Sequence, residues 1–204
     1  MKPIAMLGAA ILGLAAAAPP ARAADVPGIR GDYLRSIADV EQKLVSLAEA
    51  TPQRKFFWRP MKGVRSISEV YMHVAGANYI IPTYAGVKAP PDITPEMEKS
   101  VTDKARVIEA LKDSFDHLRE AITNTPDADL DKRVQTFAGE MSVRELYLLV
   151  VAHGHEHLGQ SIAYARENGI TPPWTAAEEA KAKALADAKK HGDKEAPKPA
   201  GAAK

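Results

Sequence analysis

The sequence predicts an all-α protein, a four-helix bundle with a long connection between its second and third helices. Three observations carry that expectation. Four segments of about 20 residues repeat apolar side chains at three- and four-residue spacing. Two of them open on Ser-x-x-Glu, at Ser66-Ile67-Ser68-Glu69 and Ser142-Val143-Arg144-Glu145, where serine and glutamate can satisfy each other's free backbone donors. Prolines and a glycine stand where helices must end, at Thr51-Pro52, Pro82 and Asn168-Gly169.

The chain opens with Met1-Lys2-Pro3 and an apolar run from Ile4 to Leu14, and Ala21-Arg22-Ala23 follows as an A-x-A site before Ala24. That pattern predicts a cleavable signal peptide over residues 1–23 and a periplasmic or secreted protein with no stable membrane span after cleavage. There is no cysteine, hence no disulfide, no thiolate ligand and no lipid-bearing thiol, so any metal must use histidine and carboxylate. Loss of Lys2 and Arg22 with the leader leaves 25 basic residues against 26 acidic ones. Nothing in that balance points to nucleic acid or an anionic membrane as partner. The expected partner is a small molecule, and bundles of this kind often pair as homodimers through an outer helix face.

The first helix reads from Ile29 to Ala50, with Tyr33, Ile37, Val40, Leu44 and Leu47 on one side. Phe56-Phe57-Trp58-Arg59-Pro60 then reads as an aromatic connector that plugs one end of the core. The second helix follows its Ser66 cap through Val70, His73, Val74, Ala77, Ile80 and Ile81, and Pro82 stops or kinks it. Thr83 to Val101 forms the long connection, either a wall or lid of a binding cleft or a plain crossover with one helical turn at Pro95-Glu96-Met97-Glu98. The third helix runs from Thr102, its expected cap, to Asn124 on Val107, Leu111, Phe115, Leu118 and Ile122, leaving Asp116 and His117 to solvent. Leu130, Val134 and Phe137 suggest a short turn or ribbon before the fourth helix, which ends at Asn168-Gly169 before Pro172-Pro173. The bundle domain therefore spans 24–174. Residues 175–204 read as an Ala/Lys/Pro-rich tail, transiently helical over Ala176 to Lys190 and otherwise disordered.

Two histidines mark the fourth helix. His153 and His157 are four apart, so they lie about 40° apart around the axis and roughly 6 Å along it, on the inward line of Leu146, Val150, Gln160 and Tyr164. A polar patch within an apolar seam is costly unless something satisfies it, and a metal ion would. His155 faces the other way. His73, inside the apolar stripe of the second helix, is the best third ligand, since ligands from facing helices of a bundle meet in its core. Glu69, one turn before His73, either joins that site or only caps its helix. Three neutral histidines suit Zn²⁺, Ni²⁺, Fe²⁺ or Co²⁺.

These residues resemble the DinB-like (damage-inducible) family of metal-binding four-helix bundles over about residues 30–174. The likeness rests on Trp58-Arg59-Pro60, on Ser66 to His73 with Asn78, on His153-Gly154-His155-Glu156-His157-Leu158-Gly159-Gln160, and on Gly169-Ile170-Thr171-Pro172-Pro173. It implies metal binding by His73, His153 and His157, with zinc or nickel as the ion and water at an open position. Family members of known activity use the ion to activate a low-molecular-weight thiol, as S-transferases or thiol-dependent isomerases. The chain departs from the family in its export leader and at Leu158, where many relatives carry arginine.

Three functional readings remain open at this level. A hydrolase or group transferase would use an acidified water at the metal, with Gln160, Glu69, Glu156 or Tyr164 holding that water or the substrate. A non-catalytic bundle would use the ion only to join the second helix to the fourth. A small-ligand binding module would use the loop after Pro82 as a lid. His153-Gly154-His155-Glu156-His157 also matches H-x-x-E-H, an inverted zinc-peptidase pattern in which Glu156 would be the general base, but too little core follows it for that larger fold.

Overall fold

The computed structural model describes residues 26–195, with side chains placed through 190. The expected signal peptide over 1–23 and the end of the tail lie outside the described residues. The elements are α1 (Gly28–Ala50), α2 (Ile67–Ile80), α3 (Met97–Ser100), α4 (Lys104–Asn124), β1 (Arg133–Thr136), β2 (Gly139–Ser142), α5 (Val143–Glu167) and α6 (Pro173–Glu195). Short 3₁₀ turns occupy Gln53–Lys55, Ile81–Ala85 and Asp127–Asp129.

Helices α1, α2, α4 and α5 form the predicted bundle. Each packs on two neighbours, in the cyclic order α1, α4, α2, α5, so α2 and α5 are adjacent and bring their histidines face to face. The apolar stripes read from the sequence are the ones buried: Leu34, Ile37, Val40 and Leu44 from α1, Val70 and Val74 from α2, Val107, Leu111, Phe115 and Leu118 from α4, Leu146, Tyr147 and Val150 from α5. Close packing of α5 on α1 depends on Gly154, where a Cβ would stand 3.1 Å from Val40 Cγ1.

Both capping boxes form. Ser66 N donates to Glu69 Oε2 at 2.8 Å while Glu69 N donates to Ser66 Oγ at 3.3 Å. At α5 the equivalent distances are 2.6 Å and 3.2 Å between Ser142 and Glu145. These boxes settle the first turns of the two histidine-bearing helices and hence the rotation of the side chains that follow. At the other end of α5, Gly169 takes a left-handed φ of 72°, the conformation a non-glycine residue resists.

The structure differs from expectation at five places. Asp103, not Thr102, caps α4, its carboxylate accepting from Arg106 N at 3.1 Å; a charged acceptor suits the positive end of a helix better than a hydroxyl. His117 is half-buried rather than solvated, with its ring 5.0 Å from Tyr79 of the neighbouring α2. Within the aromatic connector only Phe56 is fully buried and Trp58 partly so, while Phe57 is exposed. The turn expected at Pro95 to Glu98 forms two residues later, as α3, and a 3₁₀ turn carries Pro82 straight on from α2 until Gly86. The expected ribbon, by contrast, is present as a hairpin of β1 against β2, with Phe137 exposed at its tip.

Beyond the bundle, Pro172 and Pro173 end α5 as predicted, but Pro173 also opens α6, since a proline in a first helical turn has no intrahelical bond to lose. Trp174 packs on the core, and every residue from Ala176 to Lys190 is exposed. The transient helix expected over Ala176 to Lys190 is a continuous one, built from the alanine, lysine and glutamate of this stretch. Among the described residues, no helix is long and apolar enough to cross a membrane.

Candidate metal centre

His73 of α2 and His153 and His157 of α5 converge, each offering one ring nitrogen within 4.8 Å of the other two. Among the described residues they are the one cluster of histidine, aspartate and glutamate with this geometry. His73 and His153 are 80 residues apart in the chain, yet their Nε2 atoms are 3.1 Å apart. That separation is close to the edge of about 3.3 Å expected between two nitrogens sharing one tetrahedral zinc at ~2.05 Å. The ring centroids stand 4.5–5.0 Å from one another.

Two of the three rings are held from behind. His73 Nδ1 donates to Glu98 Oε2 at 2.9 Å, and Glu98 Oε1 accepts from Arg65 Nε at 2.8 Å. His157 Nδ1 donates to Gln160 Oε1 at 2.8 Å, and Gln160 Nε2 in turn donates to the Tyr164 hydroxyl at 2.9 Å. With Nδ1 carrying the proton, each ring turns the lone pair of Nε2 inward, the tautomer a metal ligand needs. His153 Nδ1 is buried with no hydrogen-bond partner, so this ring's place in the core lacks the compensation the other two enjoy.

The charge states agree. Burial and then the neighbouring His157 and His73 push His153 down to about 4. Burial, then the Arg65 guanidinium, also lowers His73, against the opposing pull of Glu98. Both rings are therefore neutral at pH 7. Burial alone would raise Glu98, but Arg65 and His73 together outweigh it and hold the carboxyl below the ordinary range. A nitrogen donor set from three converging rings, backed by an ionised carboxylate, fits a divalent ion.

Beside the triad lies a cleft of about 570 Å³, with His73 and His153 in its wall. The long connection between α2 and α4 supplies Asp92, Ile93, Thr94, Pro95, Met97 and Glu98, so it is the wall of a cleft rather than a plain crossover.

The four residues expected to serve substrate or water fall elsewhere. Glu69 is occupied by its cap and by Arg59 Nη2 at 2.9 Å. Gln160 and Tyr164 stand behind His157, where they orient it; Tyr164 is wedged edge-on against Trp58 with centroids 5.3 Å apart. Glu156 is exposed, between two histidines turned into the bundle, so it cannot be the base of an inverted zinc peptidase. None of the four lines the cleft. His155 is exposed as expected and meets Ser36 Oγ at 3.0 Å. Glu98 is the residue that sequence reasoning missed. It sits in a connection with no periodicity, and its one signal was the helical turn expected near it.

Fold and site together define a helical bundle whose core carries a histidine triad able to hold a metal ion. The family model of the DinB superfamily matches residues 36–161, which include all three histidines, and the chain belongs to that superfamily. Two solved structures share the fold. A DinB-like protein from Bacillus cereus ATCC 10987 is 19% identical with a TM-score of 0.63, over 71% of this chain and 95% of that one. A DinB-like protein from Bacillus subtilis is 17% identical with a TM-score of 0.56, over 69% of this chain and 94% of that one. No curated protein matches the chain.

Proposed function

We propose that this chain is an exported, metal-dependent member of the DinB superfamily, a hydrolase or group transferase that acts on a small molecule in the cleft beside its triad. Zinc or nickel is the ion. The observation that carries the reading is the position of the cleft: His73 and His153, two of the three histidines, belong to its wall, so a ligand bound there lies beside the triad. A bound divalent ion supplies Lewis acidity, polarising a substrate oxygen and lowering the pKa of water toward about 7.

The chain's own residues do the rest. Glu98 and Gln160 hold the tautomers and rotations of His73 and His157. Burial keeps His73 and His153 unprotonated and thus available as donors. Apolar side chains, among them Met72, Ile93 and Met97, form much of the cleft wall beside the histidines. Export rests on the leader at Ala21-Arg22-Ala23.

A second reading is favoured by one observation, that none of Gln160, Glu69, Glu156 and Tyr164 reaches the cleft to act as a base. In that reading the ion joins α2 to α5 and the protein turns nothing over. Metal analysis of the native protein beside His73→Ala and His157→Ala separates the possibilities. About one ion per chain, lost in both variants, supports the metal centre; an ion-free native protein that takes up no added metal removes it. Turnover of any member of a panel of esters, amides and thiol acceptors, abolished in His157→Ala, then distinguishes enzyme from metal-stapled bundle.

A further inference from the structure

The cleft of about 570 Å³ has the size of a small-molecule site, and two of its lining side chains are large, apolar and exposed. Ile80, at the end of α2, is 45% exposed, and Phe137, in the β1–β2 hairpin, is 70% exposed. A single exposed apolar residue is ordinary. Two from separate elements on the wall of one cavity mark a ligand surface.

The hairpin itself gives no reason for Phe137. Thr136 pairs with Gly139, so Phe137 and Ala138 are the two loop residues, positions that favour asparagine, aspartate or glycine. Thr136 holds this turn: its Oγ1 accepts from Ala138 N at 3.1 Å and donates to Gly139 O at 2.7 Å. The Phe137 ring instead lies 6.1 Å from the ring of Tyr84, just beyond α2, and lines the cleft. A bulky apolar residue at a turn that does not need it is the kind of local exception a binding site explains.

Gly76 is a second exception. It lies inside α2, where glycine is a poorer choice than alanine. Gly154 keeps its place because a Cβ would meet Val40, but a Cβ at Gly76 would meet nothing within 4 Å. Packing within the chain therefore does not demand this glycine. Gly76 lines the cleft three residues after His73, hence on the same face of the helix, and leaves the helix backbone open to a ligand beside that histidine.

We propose that the cleft takes a small molecule with an apolar body, an alkyl chain or a hydrocarbon ring, joined to an oxygen-donor head that binds the ion of the triad. Gly76 admits the body against α2, and Phe137 covers it from the hairpin as a specificity-determining residue. An anionic body is disfavoured, because the charged groups of the lining beside the histidines are the carboxylates of Asp92, Glu98 and Asp113, with no lysine or arginine among them. The inference rests on the metal reading of the same site and adds the substrate class.

The test is calorimetric titration of the zinc-loaded full chain with acetohydroxamate and octanohydroxamate, which share a head and differ in chain length. Each buried methylene is worth about fourfold in affinity, so burying half of the extra chain should tighten binding roughly fiftyfold. That gain should fall several-fold in Phe137→Ser and be lost in Gly76→Leu, whose side chain would occupy the cleft, while zinc content stays unchanged in both. Equal affinity for the two probes, or a gain undiminished in either variant, overturns the inference and leaves the metal centre standing. A chain that takes up no zinc, recognised from metal content before titration, overturns the metal reading and this inference with it.

Discussion

At the scale of single residues, the hydrogen bonds behind the histidines are what make this a site rather than three polar groups in a core. The Glu98 carboxylate is the sharpest example. It fixes His73 through Nδ1 at 2.9 Å and is itself steadied by Arg65. Glu98→Gln should therefore weaken metal affinity about 10- to 100-fold, the usual effect of losing the group that orients a ligating histidine. Competition with a colorimetric zinc chelator measures this, and unchanged affinity would show that His73 needs no support. His153 supplies a pH dependence. Its ordinary value of 6.5 falls to about 4 in the folded chain, so between those limits the unfolded state binds more protons than the folded one. The stability of the metal-free protein is then whole above about pH 6.5 and declines as pH falls toward 4. Urea melts of the metal-free protein at stepped pH should show that decline, and His153→Gln should flatten it.

At the scale of elements, the site depends on how closely α5 lies against α1 and on where its first turn begins. Gly154 stands beside His153, and its missing side chain lets Val40 approach. Gly154→Val would overpack this contact, costing about 1–3 kcal/mol and displacing the histidines on either side. Chemical denaturation and metal stoichiometry should both respond. A variant as stable as the parent would mean that the two helices can separate without loss. The long connection between α2 and α4 works as an element too. Its short α3 carries Glu98 to the back of His73, and the residues just before it line the cleft, so one segment serves both the triad and the cleft.

At the scale of the whole molecule, the triad joins α2 and α5, neighbours in the ring of four helices. An ion there binds the folded state alone, so removing it should lower the melting temperature. With free metal at 100 times its dissociation constant, the linkage is worth about 2.7 kcal/mol, or roughly 5–11 °C for a protein of this size. Thermal melts with and without a chelator test this, and His157→Ala should show no difference between the two conditions. Helix α6 should not matter to that measurement, because its residues from Ala176 to Lys190 are exposed and none of them belongs to the triad or lines the cleft.

The sequence by itself determined the family, the four long helices and the histidine triad. Those features are written locally: apolar spacing, two Ser-x-x-Glu caps, a Gly-Pro stop and a four-residue histidine repeat need only their own helix to be understood. The tertiary structure decided what surrounds the triad. Glu98 lies 25 residues from His73 in the chain, and no periodicity connects the two. Gln160 and Tyr164 were visible on the inward line of α5, but only packing put them behind His157 instead of in a cleft. Glu156 shows the same limit from the other side, since a motif match carried it into a catalytic role that its outward face denies. Which side chains end up around a cavity depends on how helices stack and where a loop crosses them, and that is settled by burial over the whole molecule.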